Sequence, residues 1–212
     1  LVPGSAASES YGPWTGRTFN TPKLGAQVYS PTDDAVTVYS AGLDLSGPTD
    51  GHHFVWQRTG GSFLIEAKVS QTVDPNSLSA KALLMARNSL ATGSPCIAPA
   101  RMATGQLGCK GRLTAGGSIA DMMSPAWQYA PTNPCWMRLK RVGNTFTASY
   151  KNSGGTWTPF YTLVDTNNVF SPSMVVGLSV TSPTSSAAYP LQSATFSEIR
   201  VARLTGTLLT VK

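Results

Sequence analysis

Residues 51–87 read GHHFVWQRTGGSFLIEAKVSQTVDPNSLSAKALLMAR. Phe54, Trp56 and Arg58 alternate with Val55 and Gln57, and Gly60-Gly61 turns the chain. Phe63, Ile65, Ala67 and Val69 then fall on one face, with Leu64, Glu66 and Lys68 on the other. Side chains of a strand point alternately to opposite sides, so this period of two marks a half-buried antiparallel strand. After a polar turn at Asp74-Pro75-Asn76, the apolar run Ala82–Met85 ends at Arg87. Two strands, a turn and a third strand set the terms for the rest of the chain.

Outward from this stretch the same pattern recurs. Val36–Tyr39 reads as a short strand before it, and Ala41–Leu45 as a bend and strand. Ala98–Met102 and Gly105–Leu113 form a hairpin pair. Cys135–Val142 alternates, with Trp136, Arg138 and Lys140 on one face and Met137, Leu139 and Arg141 on the other. Gly143-Asn144 is a turn dipeptide, and Thr145–Lys151 returns as the partner strand. Phe160–Val164, Met174–Thr181 and Ala194–Val201 complete the set, the last with one slip of phase. Residues 114–134, with Met122, Met123, Trp127 and Tyr129, make the longest connection, and connections of that length in compact domains usually carry function. Many short strands separated by turn signals predict an all-β fold, an antiparallel two-sheet jelly-roll sandwich in a single domain. The domain is expected to span 36–202, preceded by an irregular N-terminal arm over 1–35 and followed by a C-terminal strand or tail over 203–212. Trp14 and Phe19 are expected to pack the arm back on the domain.

A chain of 212 residues suffices for one sizeable β domain. Sixteen Lys+Arg against ten Asp+Glu give a net charge of +6, but the basic residues are scattered and only Arg138-Leu-Lys140-Arg141 is dense. No aromatic-rich basic motif accompanies it, so no nucleic-acid partner is expected. No run of eighteen apolar residues predicts a membrane span. Cysteines stand at 96, 109 and 135, with neither a C-x-x-C nor a nearby His to suggest zinc. One disulfide in an exported protein and three buried thiols in a cytosolic one both fit this count. Cys109 with Cys135 is the preferred pair if a bridge forms.

The order of short motifs is familiar. It runs through Ala41-Gly42-Leu43-Asp44, Asp50-Gly-His52-His-Phe54-Val-Trp56, Gly61-Ser-Phe63-Leu-Ile65-Glu-Ala67-Lys-Val69, and Ala80-Lys81-Ala82-Leu-Leu-Met85-Ala-Arg87. It continues with Trp136-Met-Arg138-Leu139-Lys-Arg141-Val-Gly143-Asn144, Gly154-Gly-Thr156-Trp157, Val176-Gly177-Leu178 and Ala194-Thr-Phe196. Over about residues 36–202 this resembles the concanavalin-like jelly-roll modules of the DUF1349 type. The resemblance implies an appended domain of a secreted, extracellular or cell-surface protein that binds glycans or acts as a spacer. The arm before residue 36 and the tail after Val201 have no counterpart in that pattern, which suggests contacts to neighbouring subunits.

Concanavalin-like folds include glycosidases, which need two carboxylates about 5–9.5 Å apart across one bond. The glutamates are Glu9, Glu66 and Glu198, and none has a second acid at strand spacing. No catalytic residue is therefore assigned. His52 and His53 point to opposite faces of a strand and cannot jointly chelate one ion. Asp44, Asp50 and Asp74 lie in or beside loops, where carboxylate and carbonyl oxygens could hold a structural Ca²⁺. No other cofactor is expected.

For sugar binding the chemistry is an aromatic face under the pyranose C–H groups with polar side chains at its rim. Trp127 and Tyr129, two apart in the long connection, are the expected platform, with Trp56, Arg58 and Arg87 as further contacts. Trp56, Trp136 and Trp157 also have a plain reading as core or core-edge residues. The leading function is a non-catalytic module binding carbohydrate or another surface polymer. An assembly subunit of an extracellular layer, fibre or adhesin, joined through the terminal arms, is the rival. A glycoside hydrolase or lyase comes third.

Overall fold

A computed structural model describes residues 14–20, 23–41, 44–72, 77–182 and 191–204. The strands are β1 (Thr15–Phe19), β2 (Lys23–Ser30), β3 (Ala35–Ala41), β4 (His52–Gly60), β5 (Phe63–Gln71), β6 (Lys81–Arg87), β7 (Cys96–Met102) and β8 (Leu107–Arg112). They continue as β9 (Ala120–Asp121), β10 (Trp127–Gln128), β11 (Cys135–Val142), β12 (Thr145–Lys151), β13 (Thr158–Val164), β14 (Ser173–Thr181) and β15 (Gln192–Arg203). One sheet runs β1-β4-β14-β6-β7-β8-β10, with β9 also on β8, and the other β13-β12-β11-β5-β15-β3-β2. Every described pairing is antiparallel. The result is a two-sheet jelly-roll sandwich. Among the described residues no helix is long and apolar enough to cross a membrane.

The opening stretch supplies β4, β5 and β6. Phe63, Ile65, Ala67 and Val69 of β5 face the inter-sheet core, as the alternation requires. They meet Ala82, Leu84, Ala86 and Ile97 from the first sheet and Met137, Leu139, Phe146 and Phe196 from their own. Each large side chain removed from water here contributes roughly 1.5–3 kcal/mol. Gly61 (φ +66°) turns β4 into β5, and Gly143 (φ +57°) turns β11 into β12.

A second apolar cluster lies on the outer face of the first sheet. It joins Phe19, Phe54, Leu83, Met85, Cys96, Ala98 and Val175 of the strands with Leu45 and Ile119 of two connections. β4 and β6 are therefore covered on both faces. The unbroken apolar run in β6 (KALLMAR, wholly buried) reflects this double cover.

Two expectations are corrected. Within the expected irregular arm over 1–35, Thr15–Phe19 and Lys23–Ser30 are strands. β1 pairs with β4 at one edge of the first sheet, and β2 pairs with β3 at an edge of the second. Their alternation is weak because edge strands with Gly, Thr and Gln carry little apolar signal. Trp14 and Phe19 are buried, as expected. Second, Cys96, Cys109 and Cys135 are all free, buried thiols, so the Cys109–Cys135 bridge is not formed. Cys109 sits inside β8 of the first sheet and Cys135 opens β11 of the second. At the other end β15 runs to Arg203, and the expected tail beyond residue 204 lies outside the described residues.

Candidate functional site

The outer face of the first sheet collects most of the residues singled out above. Its centre is closed. Residues 44–51 cross it and bury Asp50 between two arginines. Arg87 Nη2 donates to Asp50 Oδ2 at 2.6 Å and Arg112 Nη1 to Asp50 Oδ1 at 2.7 Å, with all three side chains fully buried. Arg87 also donates to the carbonyls of Ser89 and Ala91, and Arg112 to those of Gly47, Ser94 and Gly117. His52 is stacked on Phe19 at 5.0 Å and bonded to Ser179 Oγ at 2.6 Å. Burial pushes the Asp50 carboxyl up, but Arg87, His52 and Arg112 outweigh it and hold it below its usual range. Burial and the Arg87 charge push the His52 imidazole down to about 3, so it is neutral.

Arg87 is therefore no ligand contact. It is a buried clamp, corrected from the sequence reading because a basic residue at a strand end gives no sign of what will cover it. Asp50 is likewise saturated by guanidinium groups. Asp44 accepts from Lys81 Nζ at 2.8 Å and 3.0 Å, so its carboxylate also faces a cation of the protein. Asp74 lies outside the described residues. Among the described residues no three His, Cys, Asp or Glu side chains converge on a metal-sized space. A Ca²⁺ site built from Asp44 and Asp50 is thus not what the fold makes of these acids.

Trp127 and Tyr129 are not one platform either. Tyr129 has φ +51°, which turns its side chain away from the face of Trp127. Its ring packs instead on Tyr150 at 5.7 Å and Phe160 at 6.1 Å, at the open edge between the sheets. Trp56 and Arg58 do lie together, with the guanidinium 5.9 Å from the indole. Arg58 lines a shallow cleft of about 480 Å³ with Gly60, Gly61, Pro172, Ser173 and Arg203. They sit on β4, five strand steps from β10, which is roughly 24 Å along the sheet from Trp127.

Trp127 itself makes the better shelf. β10 pairs Trp127 with Gly108 of β8. A Cβ at Gly108 would stand 2.7 Å from Trp127 Cε3 and 2.9 Å from Cζ3, so the missing side chain lets the indole rest on the strand. Trp127 is half-buried: one side packs on the sheet and the remainder meets solvent. Lys81 Nζ is 5.7 Å from its ring and bound to Asp44. Two residues along the same strand face, Lys110 Nζ is 2.9 Å from Asp121 Oδ1. An aromatic shelf beside the Lys110–Asp121 pair offers apolar contact plus a partly exposed carboxylate for hydroxyl groups, and the buried Lys81–Asp44 pair supports its rim. Lys81, Lys110 and Asp121 were not legible as site residues. The one available signal was Gly108, a glycine inside a strand, which marks a close approach.

No family model matches the chain, and none of the curated proteins matches it. Solved structures do. A functionally unknown protein from Saccharomyces cerevisiae is similar at 19% identity and a TM-score of 0.64, over 90% of this chain and 97% of that one. The GH43 protein BlXynB from Bacillus licheniformis is similar at 11% identity and a TM-score of 0.65, over 92% of this chain and 38% of that one. A family 7 alginate lyase, A1-II′, is similar at 10% identity and a TM-score of 0.62, over 92% and 94%. At these identities the likeness is one of fold.

Proposed function

We propose that this chain is a non-catalytic carbohydrate-binding module of the DUF1349 type, and that it holds its glycan on Trp127. The observation that carries the reading is the Trp127 indole seated over Gly108 beside the Lys81–Asp44 and Lys110–Asp121 pairs. A pyranose ring would stack its C–H face on the indole. Its hydroxyls would give hydrogen bonds to the partly exposed Asp121 carboxylate and take one from Lys110, while Lys81, whose three donors go to Asp44 and the Ser79 carbonyl, holds the rim in place. No bond is made or broken.

Two further points support it. Two of the structures that share the fold are a GH43 protein and an alginate lyase. The strand acids are committed elsewhere: Glu66 accepts from Arg138 Nε at 2.6 Å and lies 3.6 Å from Arg200, while Glu198 binds Trp136 Nε1 and Lys68. Carboxylate oxygens already bound to guanidinium, ammonium and indole groups are not free to meet a glycosidic oxygen.

A panel of neutral soluble polysaccharides in affinity gels, followed by calorimetry on any that retard the protein, tests the reading. Trp127→Ala should weaken binding about tenfold or more, the order expected for losing one aromatic anchor, while the melting temperature stays near that of the parent. Unchanged binding by that variant would overturn the assignment. So would release of reducing ends that Glu66→Gln abolishes, which would make the chain a hydrolase.

A further inference from the structure

The outer face of the second sheet carries a different arrangement. Trp136 of β11 points outward, between Cys135 and Met137, which point into the core. Its direct cross-strand partners are Lys68 on β5 and Lys151 on β12. Lys68 Nζ lies 5.0 Å from the Trp136 ring and Lys151 Nζ 5.3 Å from it. Lys151 is also 5.2 Å from the Trp157 ring, over which Arg138 Cζ lies at 3.8 Å. Cations and indoles thus alternate across three strands and the turn before β13: Lys68, Trp136, Lys151, Trp157, Arg138.

The row is held in place. β15 changes register between Ser197 and Arg200, and Glu198 within that irregularity has φ +50°. The displaced Glu198 accepts from Trp136 Nε1 at 2.7 Å and lies 3.5 Å from Lys68. A left-handed non-glycine residue at a bulge is costly, and here it fixes the first indole. Its charges are unbalanced. Five cations point outward around the row (Lys68, Arg138, Lys140, Lys151, Arg200), against the two carboxylates Glu66 and Glu198. Among the described residues no carboxylate pairs with Lys151 or Lys140. Lys151 is half-buried with two rings for company and no counter-charge.

We infer that this face is a second binding site, for an acidic polysaccharide bearing carboxylate or sulfate groups. Fixed cations about 10 Å apart across two strand steps suit an extended chain of repeated anions. The ring beside each cation restrains it without neutralising it. A neutral glycan fits less well, because Trp136 and Trp157 each carry two cations at the ring, where Trp127 carries one. Nucleic acid fits less well for the same reason, since bases need a free aromatic face.

The test uses the full chain with polygalacturonate, dextran sulfate, unmodified dextran and oligo-deoxythymidine, titrated at low and at physiological salt. Polygalacturonate or dextran sulfate should bind and weaken with salt, and which of the two binds tighter separates carboxylate from sulfate recognition. The double variant Lys68→Met/Lys151→Met keeps the aliphatic stems. It should lose about tenfold or more of that affinity and part of its salt dependence. Lys151→Met alone, the milder change, should show the smaller loss in the same direction. Trp127→Ala should leave this binding intact, which keeps the two sites apart. Unchanged affinity in both lysine variants, equal binding of unmodified dextran by Trp127→Ala, tighter binding of oligo-deoxythymidine, or loss of polygalacturonate binding in Trp127→Ala would each overturn the inference.

Discussion

Asp50 shows how one residue's role depends on its cover. As a loop carboxylate before a strand it qualifies as a calcium ligand. In the fold it is the counter-charge for Arg87 and Arg112, with no exposure left to either partner. Breaking such a buried cluster costs more than its net value, because the remaining charges are left unpaired. The cysteines are a second case. Burial pushes the Cys96 and Cys135 thiols up to about 11 and the Cys109 thiol further still. Buried thiols with raised pKa values are poor nucleophiles. The native protein should therefore leave an aromatic disulfide reagent nearly unreacted at mildly alkaline pH, and all three thiols should titrate once it is denatured. One thiol in the denatured, unreduced chain would mean that the bridge exists after all.

At the scale of elements, β1 decides whether residues 15–30 belong to the domain. Phe19 is buried against His52, with the Arg87 guanidinium 4.8 Å from its ring. Phe19→Ala should cost about 3–5 kcal/mol in urea unfolding, the range for a large aromatic lost from a core. A loose arm would give a change near zero. β15 is the other informative element. The slip of phase legible in ATFSEIRV is the bulge at Ser197–Arg200, where Glu198 turns left-handed. The slip was readable from the apolar positions alone. That it delivers a carboxylate to Trp136 depends on β11 lying on the far side of β5, which no local pattern specifies.

For the whole molecule, the two histidines set the acid limit. Burial lowers His52 to about 3 and His53 to about 4, against 6.5 in an unfolded chain. His53 is held by Thr18 Oγ1 at 2.8 Å and Gln27 Oε1 at 2.6 Å. Both bind a proton more weakly folded than unfolded, so acid favours the unfolded chain. Stability should be level above about pH 6.5 and fall below it. By pH 5 the loss should reach about 2 kcal/mol per histidine, about 4 kcal/mol in all, at ~1.4 kcal/mol per pH unit each. Asp50, held below its usual range, adds to the loss only at still lower pH. Urea midpoints at pH 7 and pH 5 read this directly, and equal midpoints would mean that the histidines are not buried neutral.

What the sequence by itself determined is the all-β sandwich, the identity of most strands and the inward faces of β5 and β11. A period of two is a local property, and the side that is apolar must face a core wherever that core lies. Trp127 was legible too, as an aromatic in a long connection. Only the tertiary structure decided which outward faces are open. Residues 44–51 close the centre of the first sheet over Arg87, and a positive φ removes Tyr129 from the shelf. Gly108, Lys81 and Asp44 come to Trp127 from three other segments. Trp136 and Trp157 proved to be outer-face residues set among cations, although their sequence context suits a core equally well. Both kinds of decision depend on contacts between residues far apart in the chain. Alternation along one strand carries no information about what crosses its other face.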